Sequence, residues 1–178
     1  FVATVSHELR TPVTSIKGAV KLLLSMKEAL QPPQLRLLDI ADKNCERLAQ
    51  MVNDILDLEK LDSGKLRMER KRQSLGPWVR NTLITMQPYA DTFGVSIGCR
   101  AGAGDADAFS VFDEGRITQV LVNLLSNAIK FSPPGGRVEV RLERIGTQVR
   151  VSVADQGRGI SEEFRPRIFQ RFSQAGPH

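Results

Sequence analysis

The sequence predicts a two-domain protein of class α + α/β, in which an antiparallel helical hairpin precedes an α/β-sandwich domain. Two observations carry this prediction. Apolar residues recur at three- and four-residue steps over residues 1–62, which is the period of amphipathic helices. Beyond residue 64 the period changes, and strands that alternate apolar with polar residues mix with helices. We therefore expect a hairpin at residues 1–62, a hinge and first strand at 63–73, and the mixed domain at 74–178.

The hairpin is predicted from the apolar seam on each helix and from the residues that end the helices. The first helix is expected to run to about Leu30, with the turn at Pro32 and Pro33, because proline suits the first turn of the next helix. Ser63 and Gly64 supply a stop for the second helix. The seam comprises Val2, Val5, Leu9, Pro12, Ile16, Ala19, Leu23 and Met26 on the first helix, and Leu38, Ala41, Cys45, Leu48, Val52 and Ile55 on the second.

Both helices carry apolar residues on more than one narrow stripe, with Met51, Leu58 and Leu61 lying beside the second seam. Two helices alone bury little surface, so we expect a second copy of the chain to bury the remaining apolar positions. The pattern therefore predicts a homodimer in which two hairpins form a four-helix bundle. The alternative is a hairpin that packs on its own C-terminal half.

The second half mixes periods of two and 3.6 residues in an order typical of a layered α/β domain. A turn at Gly146-Thr147 joins two alternating segments into a β-hairpin. The predicted elements are a strand around 66–70, a helix over 75–89, short strands at 95–99 and 109–112, a strong helix over 114–131 that Pro133 to Gly136 ends, and the hairpin strands 138–143 and 149–153.

Composition excludes several classes of protein. The 25 basic and 20 acidic residues leave a net charge of +5, but aromatic residues make up only 6% and do not alternate with basic ones. A single-stranded nucleic-acid platform needs such alternation, so no nucleic-acid partner is expected. Cys45 and Cys99 lack the spacing of a disulfide framework or zinc site. No apolar run reaches the ~20 residues of a membrane span, so we expect no direct membrane contact. We expect a cytoplasmic location, either as a free protein or as the cytoplasmic part of a membrane-bound sensor.

His7 is the first candidate for chemistry. At about 100° per residue it lies opposite the apolar seam of the first helix, where a partner can reach it. Pro12 lacks the N–H that would bond the carbonyl of Glu8, so a bend is expected one turn beyond His7. The alternative is a solvated surface histidine with no role in chemistry.

A row of neutral polar residues on the strong helix suggests a nucleotide site. Gln119, Asn123, Asn127 and Lys130 follow at steps of four, four and three, and so share one face. An amide oxygen can ligate Mg²⁺, its NH₂ can reach a phosphate oxygen, and lysine adds a positive charge. A solvated or capping row is the alternative. The residues expected to cover the buried face are Val120, Leu121, Leu124, Leu125, Ala128 and Ile129.

Asp155-Gln156-Gly157-Arg158-Gly159 is the second candidate binding element, because it follows the last predicted strand directly. Alternation along the strand puts Asp155 on the valine side, where a buried carboxylate requires a donor such as an adenine amino group. Gly157 and Gly159 permit positive φ and close backbone approach to a ligand. An ordinary turn would also explain the motif.

Four motifs in this order resemble the boxes of the sensor histidine kinases of two-component systems. Ser6-His7-Glu8-Leu9-Arg10-Thr11-Pro12 is similar to their H box, and Gln119 to Phe131 to their N box. Asp155 to Gly159 resembles their first glycine box, and Phe164 to Phe172 their F box. The resemblance implies a dimerisation and histidine-phosphotransfer hairpin, followed by an ATP-binding domain of the Bergerat type.

In the helical half, the resemblance implies that His7 takes the γ-phosphoryl group of ATP and passes it to an aspartate of a response regulator receiver domain. Glu8 would accept the proton, and Thr11 would assist hydrolysis of the phosphorylated regulator. The protein is thus expected to be a protein-histidine kinase with possible phosphatase activity towards its regulator.

In the mixed half, the resemblance implies ATP and Mg²⁺ as ligands. Asn127 would hold the metal, and Asn123 and Lys130 would face the phosphates. Asp155 would bind the adenine amino group. Gly157 and Gly159 would open the lid over the nucleotide.

The chain departs from the family pattern in two places. It stops at His178 before another glycine-rich box and the closing strands, so a truncated domain with weak or no activity of its own is expected. Gln174 stands where many relatives carry an arginine near the γ-phosphate. Two alternatives therefore stay open: a dimerising, regulator-docking module with an inert ATP domain, and another Bergerat ATPase such as a gyrase, mismatch-repair or chaperone relative.

Overall fold

The computed structural model describes the backbone of residues 2–26, 30–102 and 108–170, and the side chains of these ranges from residue 9 onward. The chain divides into two compact units, Phe1–Arg67 and Met68–His178.

The first unit is a hairpin of two helices, α1 (Val2–Ser25) and α2 (Pro32–Asp62). The helices are antiparallel, because Arg10 on α1 bonds Asn53 on α2 at 2.8 Å while Lys17 pairs with Glu46 at 3.0 Å. The first helix ends at Ser25, earlier than expected, and continues through Pro12. The Ser25 hydroxyl donates to the carbonyl of Leu22 at 2.7 Å. This side-chain bond competes with the backbone hydrogen bonds that would continue the helix.

The hairpin buries a different stripe of α1 from the predicted one. Val13 and Val20 are buried on α1, and Val52 is buried on α2. Within a single hairpin, the predicted seam residues Leu9 and Ile16 therefore remain exposed. Apolar residues cover a wide arc of α1, and α2 covers only one edge of it. Four residues of the predicted seam remain 45–61% exposed: Leu9, Ile16, Leu23 and Met26.

The second unit contains two sheets within the described residues. The strands β1 (Lys71–Ser74) and β3 (Phe109–Phe112) pair antiparallel. In the other sheet, β2 (Ser96–Ala101) runs parallel to β4 (Arg137–Ile145), which pairs antiparallel with β5 (Gln148–Ala154) through the predicted turn.

The first strand begins at Lys71, so the prediction of a strand around residues 66–70 is wrong. The N–H groups of Lys65 and Leu66 both donate to the carbonyl of Lys60, at 2.9 and 3.1 Å, and continue the end of α2. The N–H of Glu69 donates to the Asp113 carboxylate at 2.8 Å. Because these N–H groups already have acceptors, they form no hydrogen bonds to a neighbouring strand.

Two helices, α3 (Leu75–Thr92) and α4 (Glu114–Phe131), contribute the rest of the core. The indole of Trp78 on α3 packs edge-on against Phe112 at 5.2 Å and donates to the Thr118 hydroxyl on α4 at 2.8 Å. On β4, side chains alternate between the core and the outer face, where Glu139 bridges two arginines. The largest fully buried side chains are Leu125, Ile129, Val79, Val138 and Val140.

The N-terminus of α4 is capped by Asp113. One carboxylate oxygen accepts the N–H of Arg116 at 3.1 Å, and the other accepts the N–H of Glu69. The Arg116 amide, followed by the Glu69 amide, holds the pKa of Asp113 below its usual value. The cap thus fixes where α4 starts and joins it to the segment before β1.

Candidate functional site

The exposed face of α4 carries the predicted amide row. Asn123, Asn127 and Lys130 are exposed, and Gln119 is half-buried with its side-chain oxygen 3.4 Å from the guanidinium of Arg116. Their spacing of three and four residues places them along one side of the helix. The row is therefore available to a ligand in the second unit.

Next to this row, the structure corrects two expectations about α4. Val120 and Leu124 are 53% and 49% exposed, although they were expected on the buried face. The buried arc is narrower and consists of Leu121, Leu125, Ala128 and Ile129. Together with Phe131, which is 46% exposed, Val120 and Leu124 form an apolar ridge alongside the amide row. The site face thus offers both polar and apolar contacts.

The glycine loop, residues 155–159, follows β5 directly. Asp155 is exposed, so the prediction that it lies on the buried side of the strand is wrong. The strand ends at Ala154, and the alternation of its side chains does not extend to the next residue. Instead, the Asp155 carboxylate accepts the N–H of Gly157 at 2.8 Å, which holds the loop in a tight turn.

Gly157 brings the glycine loop against the end of α4. A β-carbon on Gly157 would lie 2.7 Å from the carbonyl oxygen of Phe131 and 2.8 Å from the Asp155 carboxylate. Gly159 has φ +73°, a conformation that favours glycine. The two motifs are distant in sequence, but the structure joins them into one site.

Arg158 and the Phe131 ring, which the sequence did not assign to the site, lie at this junction with the predicted Lys130. The Arg158 guanidinium and the Lys130 ammonium each lie 5.5 Å from the centroid of the Phe131 ring. Both distances fall within the range of cation–π contacts. The signal in the sequence was an arginine between two glycines and an aromatic residue directly after the lysine of the amide row.

In the helical unit, the backbone of His7, Glu8 and Thr11 lies within α1. The side chains of His7 and Glu8 lie outside the described residues, while Thr11 is exposed one turn further on. The bond from Arg10 to Asn53 holds this part of α1 to α2. The structure thus places the backbone of these three residues on one helix of the first unit.

The F-box segment forms a short 3-10 helix at Arg165–Arg167 after a turn in which Ser161 accepts the N–H of Phe164 at 3.3 Å. Phe169 is 96% exposed. The end of this box at Phe172, and Gln174, lie outside the described residues. Across the described ranges, no group of three His, Cys, Asp or Glu residues could hold a metal ion.

Comparison with known proteins gives the family. Residues 1–64 match the His Kinase A (phospho-acceptor) domain, and residues 112–178 match the histidine kinase-, DNA gyrase B- and HSP90-like ATPase family. The chain belongs to the sensor histidine kinases, and its domains are those of a protein-histidine kinase. The phospho-acceptor match separates it from gyrase-like and chaperone ATPases.

Curated relatives agree along almost the whole chain. The circadian input-output histidine kinase CikA of Synechococcus elongatus is 36% identical over 176 residues, which are 98% of this chain and 23% of that protein. The sensor histidine kinase GacS of Pseudomonas protegens is 36% identical over 179 residues, covering 98% of this chain and 19% of its own length. The chain thus spans under a quarter of these relatives.

Solved structures confirm the predicted succession of a helical hairpin and an α/β domain. Full-length ShkA in complex with AMPPNP matches with a TM-score of 0.80 and 30% identity over 97% of this chain and 36% of that chain. The histidine kinase ThkA in complex with the response regulator TrrA matches with a TM-score of 0.65 and 28% identity, over 97% and 49%. Among the described helices, none is long and apolar enough to cross a membrane.

Proposed function

We propose that this protein uses ATP to phosphorylate His7 and then transfers the phosphoryl group to an aspartate of a response regulator. One observation carries the proposal: a phospho-acceptor hairpin shares the chain with a site in which an exposed amide row meets a glycine loop. The ATPase match and the AMPPNP-bound relative support ATP as the ligand.

The described residues fit a nucleotide. Asn123, Asn127 and Lys130 offer amide groups and a positive charge along one exposed face. Gly157 has no room for a β-carbon, so the glycine loop approaches the end of the helix that carries the amide row. Asn127 would hold Mg²⁺, with Asn123 and Lys130 on the phosphates. When bound, Mg²⁺ neutralises phosphate charge as the phosphoryl group moves.

At the other end of the nucleotide, Asp155 is assigned to the adenine amino group. Its carboxylate already accepts one N–H from Gly157, and a carboxylate can accept several further hydrogen bonds. Gly157 and Gly159 are proposed to start the lid over the nucleotide, for which the positive φ of Gly159 gives support.

At His7, a ring nitrogen attacks the γ-phosphorus of ATP. A nitrogen–phosphorus bond forms, the bond from phosphorus to the oxygen of ADP breaks, and Glu8 accepts the ring proton. The imidazole reacts as the neutral base, which makes a neighbouring carboxylate a suitable acceptor and orienting group. Thr11, exposed one helical turn away, is proposed to assist water in hydrolysing the phosphorylated regulator.

Two partners are proposed for the helical unit, a response regulator receiver domain and a second copy of the chain. The relative ThkA is known in complex with the response regulator TrrA, which supports a receiver domain as the phosphoryl acceptor here. The exposed stripe through Leu9, Ile16 and Leu23 supports a homodimeric four-helix bundle. We place the hairpin at residues 1–62, a hinge at Ser63-Gly64 within 63–73 and the ATP domain at 74–178. ATP and a receiver domain as substrates favour the cytoplasm.

The proposal is tested by phosphate transfer with the full-length protein, Mg²⁺ and γ-labelled ATP. Asn127→Ala is expected to lower the initial rate of labelling at least about tenfold, since it removes the proposed metal ligand. Asn81→Ala is the matched control, because Asn81 is an exposed amide on α3 outside the site. Regulator binding without labelling would instead establish an inert docking module, and phosphate release without labelled protein a different ATPase.

A further inference from the structure

The ring of Phe131 is shared by two cations. Lys130 precedes Phe131 on α4, while Arg158 arrives from the glycine loop, and each charge lies 5.5 Å from the ring centroid. Gly157 lies directly against the Phe131 carbonyl, so the loop approaches the end of α4 closely. Packing of the backbone therefore presents Arg158 at the end of the amide row.

Three arginines of this unit pair with carboxylates, and Arg158 is not one of them. Arg137 and Arg141 pair with Glu139, and Arg165 pairs with Glu162. Arg158 is exposed and, among residues 30–102 and 108–170, has no carboxylate within ion-pair distance. Its guanidinium is held on an aromatic face while its N–H donors remain available to an anion.

Lys130 and Arg158 both bring a positive charge to the Phe131 ring, and a phosphate anion bound beside that ring would be attracted to both. Guanidinium groups bind phosphate oxygens with two parallel hydrogen bonds. We infer that Arg158 is a second cation of the nucleotide site and contacts phosphate oxygens of the bound nucleotide beside Lys130. This inference rests on the proposed function, since it assumes that the site holds ATP.

The test is calorimetric titration of the full-length protein with ATP and with adenosine, at low and high KCl. Arg158→Ala is expected to weaken ATP binding about tenfold and to leave adenosine binding unchanged, because adenosine has no phosphate. Arg158→Ala is also expected to make the ATP affinity less dependent on the KCl concentration. Arg158→Lys retains part of the affinity, since the charge remains but the paired donors are lost.

Arg150→Ala is the matched control, because Arg150 is an exposed arginine on β5 outside the site. It is expected to bind ATP like the wild type. If Arg158→Ala also binds ATP like the wild type while Lys130→Ala does not, the inference is overturned and the proposed function stands. Equal loss of ATP and adenosine overturns it too, since Arg158 would then act by positioning Phe131. If the wild type binds no ATP, the proposed function fails first.

Discussion

The carbonyl oxygen of Phe131 lies 2.7 Å from the point that a β-carbon on Gly157 would occupy. Because that oxygen belongs to the backbone at the end of α4, it cannot rotate away as a side chain could. The contact therefore explains why the loop after β5 needs glycine there, and it ties the shape of the loop to the position of α4.

Gly157→Ala is accordingly expected to displace the loop from α4. Strain of this kind lowers the free energy of unfolding by about 1–3 kcal/mol, and ATP affinity should fall at least about tenfold as the loop moves. Gly98→Ala is the control, because the nearest atom to its β-carbon is the flexible end of Arg137 at 3.9 Å. Chemical denaturation and calorimetry measure both effects. Wild-type ATP affinity in Gly157→Ala would refute the role of this contact.

The cap of α4 predicts a pH dependence of stability. Amide donors from Arg116 and then Glu69 lower the pKa of Asp113 in the folded protein. A depressed folded pKa means that the stabilisation is present above the unfolded pKa and is lost as the pH falls through the folded value. Melting curves from pH 7 down to acid should show this loss in the wild type.

Asp113→Asn is the informative variant of that experiment. Asparagine still caps a helix but carries no charge, so we expect the melting temperature to depend less on pH, with the two proteins converging in acid. Asp113→Ala removes the cap and should lower the melting temperature by about 5 °C at neutral pH. Equal pH dependence in Asp113→Asn and wild type would contradict the assignment.

Trp78 is the only tryptophan and reports on the core between α3 and α4. Thr118→Val removes the acceptor of its indole N–H at a partly buried position, which should cost about 1 kcal/mol of unfolding free energy. Thr85→Val is the control, because the Thr85 hydroxyl is exposed and bonds only the carbonyl one turn earlier on α3. Tryptophan fluorescence during urea unfolding measures both variants. Equal midpoints would show that this hydrogen bond contributes nothing.

The exposed stripe on α1 predicts a specific interface. Ile16→Glu places a charge at the centre of that stripe and should shift the proposed homodimer to monomers, since a buried unpaired charge is strongly unfavourable. Leu22→Glu is the control, because Leu22 is more exposed, at 69% against 53%, but points to another side of the helix. Analytical ultracentrifugation distinguishes them. A dimer that survives Ile16→Glu would mean that the stripe serves another purpose.

Periodicity was enough to predict most of this fold. The helix over 114–131, the β-hairpin after it and the amide row all follow from the repeat of apolar residues and from turn signals. The stripe of α1 that faces α2 could not be predicted, because apolar residues cover a wide arc and only packing selects between its edges. The same ambiguity misplaced Val120 and Leu124 on α4.

The site was harder to predict where it depends on contacts between distant segments. No local pattern shows that Gly157 touches the end of α4 or that Arg158 reaches Phe131, because both contacts depend on how the loop after β5 returns to the helix. The exposed position of Asp155 depends on the strand ending one residue earlier, and strand ends are poorly marked in sequence.

The most direct measurement of the central claim is where the phosphoryl group of ATP goes. We expect the full-length protein, given Mg²⁺ and γ-labelled ATP, to acquire an acid-labile and alkali-stable label that maps to the peptide containing His7. His7→Gln should lose the label while it binds ATP with wild-type affinity. A label that persists in His7→Gln, or no label on a wild-type protein that binds ATP, would contradict the account.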